Sequence, residues 1–213
     1  TFTRKAAQEM LRRAAALLDS RCQKVAGGTF HSFANMMLRR YAHVLGFLSG
    51  FTILDQGDSE DVIGLLRGQL DLNKKDRRFP NKRTIHTIFS KAVNKVMAVQ
   101  QIVEKYYSQF FQDIDDLEYL YNAYKTYKLN HRLMDYDDLL TFFAQLLEQH
   151  QRIREHLSQV YSYIMVDEYQ DTNHAQYTIA RSLTAEHGNI FVVGDEDQSI
   201  YRFRGADYRN VAR

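Results

Sequence analysis

Two carboxylates, Asp167 and Glu168, stand side by side behind the apolar run Tyr163-Ile164-Met165-Val166. The run reads as a short buried strand. In a parallel sheet, ligands bind beyond the carboxyl ends of the strands, so a strand ending in two acids delivers both to that edge. There, one carboxylate can hold Mg²⁺, directly or through water, while the other orients and deprotonates an attacking water. Asp167 is the candidate metal holder and Glu168 the candidate base. A solvated acidic turn would contain the same pair, but two features favour chemistry. Gln170, Asp171, Thr172 and Asn173 extend the acids into a dense polar block, and a second strand-plus-polar block runs from Ile190 to Gly205.

This is the Walker B arrangement of a nucleotide hydrolase. The spacing between the two blocks leaves room for one helix, expected from about Asn173 to Glu186 and followed by Gly188. Ile190-Phe191-Val192-Val193 reads as the second buried strand, and Gly194 permits a tight turn off it. Gln198 can hydrogen-bond a phosphate oxygen or a catalytic water. Tyr201, Arg202, Phe203 and Arg204 then alternate aromatic and cation. They suit either a single-strand platform, with stacking at about 1–3 kcal/mol per base, or an amphipathic strand edge.

Upstream, Thr1 to Thr3 read as a strand end, with Thr3 placed to cap a helix. Ala7, Met10, Leu11, Ala14, Leu17 and Leu18 recur at helical spacing and mark its buried face. Arg4 and Lys5 fall in its first turn, where free N–H groups favour an anion; a phosphate is one guest, and plain solvent exposure the alternative. Val25 to Phe30 hold a Gly-Gly pair and a short β-prone piece. A helix is then expected from Phe33 to about Leu45, ended by Gly46, with Phe33, Met36, Met37, Arg40 and Tyr41 on one face. His31 has no His or Cys partner at metal spacing, so a helix-start hydrogen bond is its expected role.

From Ser59 to about Lys128 the periodicity is helical throughout. Val62, Ile63, Leu66 and Leu70 form one stripe, and Ile85, Ile88, Phe89 and Ala92 a second. Val99, Ile102, Val103, Tyr106 and Phe110 form a third, and Leu117, Leu120, Tyr121 and Tyr124 a fourth. Such stripes predict a helical core rather than a DNA platform. Asn73 to Arg83 carries six cations in eleven residues and suits a phosphate-contacting loop or a solvated one. Met134 to Gln145 reads as a helix whose first turn holds Asp135, Asp137 and Asp138, as the helix dipole favours.

The 213 residues are enough for one large domain or two small ones. A net charge of +2 neither favours nor excludes nucleic acid. The single cysteine, Cys22, excludes an internal disulfide and a Cys-based zinc site and suits a reducing compartment. No apolar run approaches the roughly 20 residues that span a membrane, and no secretory leader is present; a cytoplasmic location is expected. The start at Thr1-Phe2-Thr3 and the stop at Val211-Ala212-Arg213 suggest a piece of a longer protein.

The motifs together closely resemble the UvrD/Rep/PcrA group of superfamily 1 DNA helicases. Thr1-Phe2-Thr3-Arg4-Lys5-Ala6-Ala7 is similar to motif Ia, and Gly28-Thr29-Phe30-His31-Ser32-Phe33 to motif Ib. Met134-Asp135-Tyr136-Asp137-Asp138-Leu139-Leu140 resembles the family's LDFDDLL block. Val166 to Asn173 matches motif II and Val193 to Asp207 matches motif III. Order and spacing agree across the chain.

The resemblance implies an α/β fold. It would be a RecA-like parallel-sheet P-loop NTPase domain, 1A, in two parts (residues 1–54 and 133–213), interrupted by an all-helical domain 1B (residues 55–132). It implies ATP and Mg²⁺ as cofactors, with Asp167 on the metal, Glu168 activating water and Gln198 sensing the γ-phosphate. Thr3, Arg4, Thr29, Phe30 and His31 would touch single-stranded DNA, and Tyr201 and Phe203 would stack on bases. Phe203 stands where the family usually has Trp, and Arg4 where Asn is commoner. The implied activity is ATP-dependent 3′-to-5′ DNA translocation and unwinding, with single strands and strand–duplex junctions as partners. No G-x-x-x-x-G-K-[ST] loop occurs in the chain, so the fragment alone is expected to be inactive. A DNA-binding regulatory protein with a decayed ATPase, and the motor part of a helicase–nuclease, are the competing readings. Intact Asp167, Glu168 and Gln198 count against decay.

Overall fold

The computed structural model describes residues 1, 3–18, 25–47, 50–72, 79–195 and 197. The chain forms two compact units, one of residues 1–46 with 139–213 and one of residues 47–138. Among the described residues the fold is a helix-rich α/β arrangement with two small parallel sheets. Among the described residues no helix is long and apolar enough to cross a membrane.

The unit of residues 47–138 is built on the four stripes. They lie on α3 (Gln56–Gln69), α4 (Lys82–Lys95), α5 (Val99–Tyr106) and α6 (Ile114–Asn130). Their inward residues merge into one core around Ile63, Ile85, Ile88, Ile102, Leu117 and Leu120, all fully buried. Each such side chain contributes about 1.5–3 kcal/mol of apolar burial. Tyr106 is the exception: it is exposed, because α5 ends there and the chain turns into a 3-10 segment, Ser108–Asp113. Asp55 and Asn81 cap α3 and α4 by accepting from Asp58 N–H and Thr84 N–H at 2.9 and 2.8 Å.

Thr52–Ile53 form β1, which pairs in parallel with β2, Leu133–Met134. A two-residue strand is too short for periodicity to reveal. The acids after β2, at the start of α7 (Tyr136–Gln149), do more than complement the helix dipole. Asp135 is buried, and with Asp138 it receives the ammonium of Lys128 at 2.5 and 2.6 Å. Tyr124 donates its hydroxyl to Asp135 at 2.9 Å.

In the other unit, α1 spans Arg4–Leu18 and α2 spans Phe30–Tyr41, continuing as a 3-10 turn, Ala42–Leu45, that ends at left-handed Gly46 (φ 95°). Thr3 caps α1 as expected, accepting from Ala6 N–H at 3.1 Å. The apolar face predicted for α1 is largely open: Ala7 is buried, but Met10 and Leu17 are exposed. Among the described residues Thr1 pairs with no strand; Phe2 and Cys22 lie outside them. Helix α2 starts three residues earlier than expected, because Thr29 and Ser32 form a reciprocal capping box. No strand forms over residues 25–29. The capped start turns Ala34, Met37 and Leu38 inward and leaves Met36 and Arg40 exposed. Phe33 meets Phe143 of α7 and Tyr161 edge-on, at centroid distances of 5.7 and 5.1 Å.

Helix α8 (Gln151–Val160) leads to β3, Ile164–Val166. Helix α9 (His174–Leu183) then crosses to β4, Ile190–Val192, which pairs in parallel with β3. Neither strand is buried on both faces as predicted. Val166 packs against Tyr169 and Ala180, whereas Met165 is 73% and Phe191 60% exposed. Burial of a parallel strand requires a layer on each face, and among the described residues α9 covers one.

Candidate phosphate-hydrolysis site

The parallel register brings the carboxyl ends of β3 and β4 to one edge. Ile164, Met165 and Val166 face Ile190, Phe191 and Val192. The ladder continues past both strands, with Val193 N–H donating to Val166 O and Tyr169 N–H to Val193 O, each at 2.9 Å. Asp167 and Glu168 therefore leave β3 beside the point where Gly194 and Asp195 leave β4.

Asp167 is half-buried, and the Thr1 hydroxyl donates to its Oδ2 at 3.4 Å. Glu168 is exposed, and its backbone is left-handed (φ 54°, ψ 43°). That conformation is uncommon for a residue with a Cβ and is found preferentially at functional sites. The chain then makes one 3-10 turn, Tyr169–Asp171.

The polar block after the acids is mostly architectural. The Thr172 hydroxyl donates to Tyr169 O at 2.7 Å. Asn173 caps α9, its Oδ1 accepting from Gln176 N–H at 2.9 Å. Gln170 differs: it is buried, its amide donates to Glu168 Oε2 at 2.7 Å, and its carbonyl accepts from Asp195 N–H at 3.0 Å. Sequence reasoning placed Gln170 in the block without a role; its position two residues after Glu168 was the available signal.

Gly194 also makes a close approach where the chain leaves β4. A Cβ there would lie 2.5 Å from Gln170 Oε1 and 3.2 and 3.3 Å from the Gln170 and Tyr169 nitrogens. Gly194→Ala is expected to destabilise the fold by about 1–3 kcal/mol, as overpacking does, lowering the urea midpoint. An unchanged midpoint would mean the two turns separate readily.

The residues expected to contact DNA fall at helix starts. Thr3 is exposed at α1, and Arg4 opens that helix. Thr29 caps α2. Phe30 is half-buried and packs against the Val166–Tyr169–Ala180 cluster beside the acids. His31 is half-buried, and burial lowers its pKa, leaving a neutral imidazole at pH 7. Gln198, Tyr201 and Phe203 lie outside the described residues, as do residues 73–78 of the basic loop.

Among the described residues, no cluster of three or more His, Cys, Asp or Glu side chains is poised to hold a metal. The edge nonetheless fits Mg²⁺. Asp167, with a hydroxyl beside it, supplies the oxygen donors this ion takes, and Mg²⁺ on nucleotides is held by one or two carboxylates plus phosphates and waters. A cleft of about 430 Å³ opens elsewhere, lined by Glu148, Arg154, His174, Tyr177 and Arg181 among others. None of the strand-end residues line it.

The profile of the UvrD/REP helicase N-terminal domain matches residues 1–213. The chain belongs to this family. It is 36% identical, over 99% of its length, to the ATP-dependent DNA helicase PcrA of Bacillus subtilis (strain 168), and covers 28% of that protein. It is 35% identical to PcrA of Staphylococcus aureus (strain Mu50) and 36% identical to PcrA of Staphylococcus epidermidis, with the same coverage. The chain thus spans 28% of the length of the curated relatives it matches.

Proposed function

We propose that the intact protein carrying this chain is an ATP-dependent DNA helicase that translocates 3′-to-5′ on single strands and opens duplexes at junctions. The observation that carries this reading is the acid pair at the carboxyl end of β3, tied through Gln170 to the turn after β4, in a chain of the helicase family. Residues 1–54 with 133–213 are read as the RecA-like domain 1A and residues 55–132 as the inserted domain 1B. Asp167 would hold Mg²⁺ on the nucleotide, and the ion would supply charge neutralisation at the phosphates. Glu168 accepts the proton of the attacking water. Gln198 follows the γ-phosphate, and Thr3, Arg4, Thr29, Phe30, His31, Tyr201 and Phe203 line the DNA path. His31 contributes there as a neutral hydrogen-bonding group. A cytoplasmic enzyme follows from this reading.

The chain alone contains no phosphate-binding G-x-x-x-x-G-K-[ST] loop, so by itself it hydrolyses no ATP. The test is steady-state ATP hydrolysis by the intact protein with and without single-stranded DNA. Strong stimulation by DNA supports the motor. Tight, salt-sensitive DNA binding without turnover would replace it with a regulatory DNA-binding protein.

A further inference from the structure

Gln170 is 1% exposed, whereas the Glu168 carboxylate it meets is in solvent. The orientation of its amide is dictated by chemistry. The backbone N–H of Asp195 can only donate, so the Gln170 carbonyl oxygen must face it, at 3.0 Å. That leaves the NH₂ group toward Glu168 Oε2, at 2.7 Å. The amide plane is clamped from both sides. The β3–β4 ladder continues through Val193 N–H to Val166 O and Tyr169 N–H to Val193 O, and Gly194 passes so close that a Cβ would strike Gln170 Oε1. An exposed glutamate otherwise samples several rotamers at an entropic cost to any single one. Here a buried and doubly held donor selects one.

The geometry points to Gln170 as a positioning residue that fixes the Glu168 carboxylate relative to the end of β4. This rests on the reading of Glu168 as the water-activating base. Gln170 itself touches neither nucleotide nor water; it acts through Glu168. Misplacing a reacting group by about 1 Å costs on the order of 10²-fold in rate.

The experiment is single-turnover ATP hydrolysis by the intact protein with saturating single-stranded DNA, comparing wild type, Gln170→Met, Gln170→Glu and Glu168→Gln. Gln170→Met removes both hydrogen bonds. Gln170→Glu keeps an acceptor for Asp195 N–H but brings no donor to Glu168. Both are expected to slow hydrolysis about 10–100-fold, with ATP affinity and DNA affinity within about twofold of wild type. A purely structural role would weaken binding and turnover together, or would leave Gln170→Glu near wild type; either result overturns the inference. Full activity in Glu168→Gln would instead remove the base reading on which it rests. Should both Gln170 variants fail to fold, the crystal structure of the wild-type protein with Mg²⁺ and an unhydrolysable ATP analogue decides. Nε2 within hydrogen-bond distance of the Glu168 carboxylate supports the inference, and a separation beyond about 4 Å overturns it.

Discussion

Replacing Glu168 by Gln in the intact protein is expected to slow ATP hydrolysis by about 10²–10⁴-fold, the usual contribution of a positioned general base. The substitution keeps size and shape and removes only the carboxylate proposed to accept a proton. Glu168 is exposed at the strand edge, so the variant leaves no buried charge unpaired, and the fold should persist. Asp167 and the Thr1 hydroxyl beside it are untouched, so Mg²⁺–nucleotide binding should stay within a few-fold of wild type. The measurement is single-turnover hydrolysis alongside equilibrium nucleotide binding. A rate within tenfold of wild type would reassign the base. Loss of nucleotide binding as well would show that both acids serve the metal.

The largest expected effect on stability lies in the unit of residues 47–138. Lys128 is 5% exposed, and its ammonium sits between Asp135 and Asp138 and 4.4 Å from the Tyr124 ring centroid. Burial disfavours its charge, but the two carboxylates outweigh that and raise its pKa. Lys128→Met fits the volume and strands buried Asp135 and half-buried Asp138, a change that removes about 3–5 kcal/mol when one partner of a buried ion pair is lost. Urea unfolding of the variant measures this directly. A loss under about 1 kcal/mol would mean the acids find water or protons without reorganising the fold.

The same cluster sets a pH dependence. Burial, and then the nearby Asp135 charge, push Asp138 up to about 6, against the pull of Lys128. Burial also opposes the Asp135 charge, but Lys128 and hydrogen bonds from Asp138 N–H and Tyr124 hold Asp135 below its usual range. Folding therefore favours protonated Asp138. That contribution is full below the unfolded value near 3.8 and is lost as pH rises through about 6. Asp135 works in the opposite sense: its contribution is present above 3.8 and fades as pH falls through its lowered folded value. Comparing Asp138→Asn with wild type between pH 4 and 7 isolates the first effect. The wild type should lose stability over that interval relative to the variant.

What the sequence determined by itself is what depends on near neighbours. The four helical stripes of residues 62–124 are periodic along the chain, and their inward residues, Tyr106 apart, do meet in one core. The adjacency of Asp167 and Glu168 behind an apolar run likewise put both acids at a strand end, since a strand's direction carries its last residues to one edge. Thr3 at the start of α1 was legible because a cap satisfies N–H groups only a few residues away. Which faces are covered was not legible. Met10, Leu17 and Met165 are apolar in the expected pattern yet exposed, because periodicity marks a face without supplying the layer that buries it. Nor were the long-range partners. Gln170 reaches across to Asp195, 25 positions away, and Lys128 meets Asp135 and Asp138 only once the chain after α6 folds back against it. Those pairings follow from how strands and helices return on one another, and hydrogen bonds of side chains to distant segments leave no period in the chain.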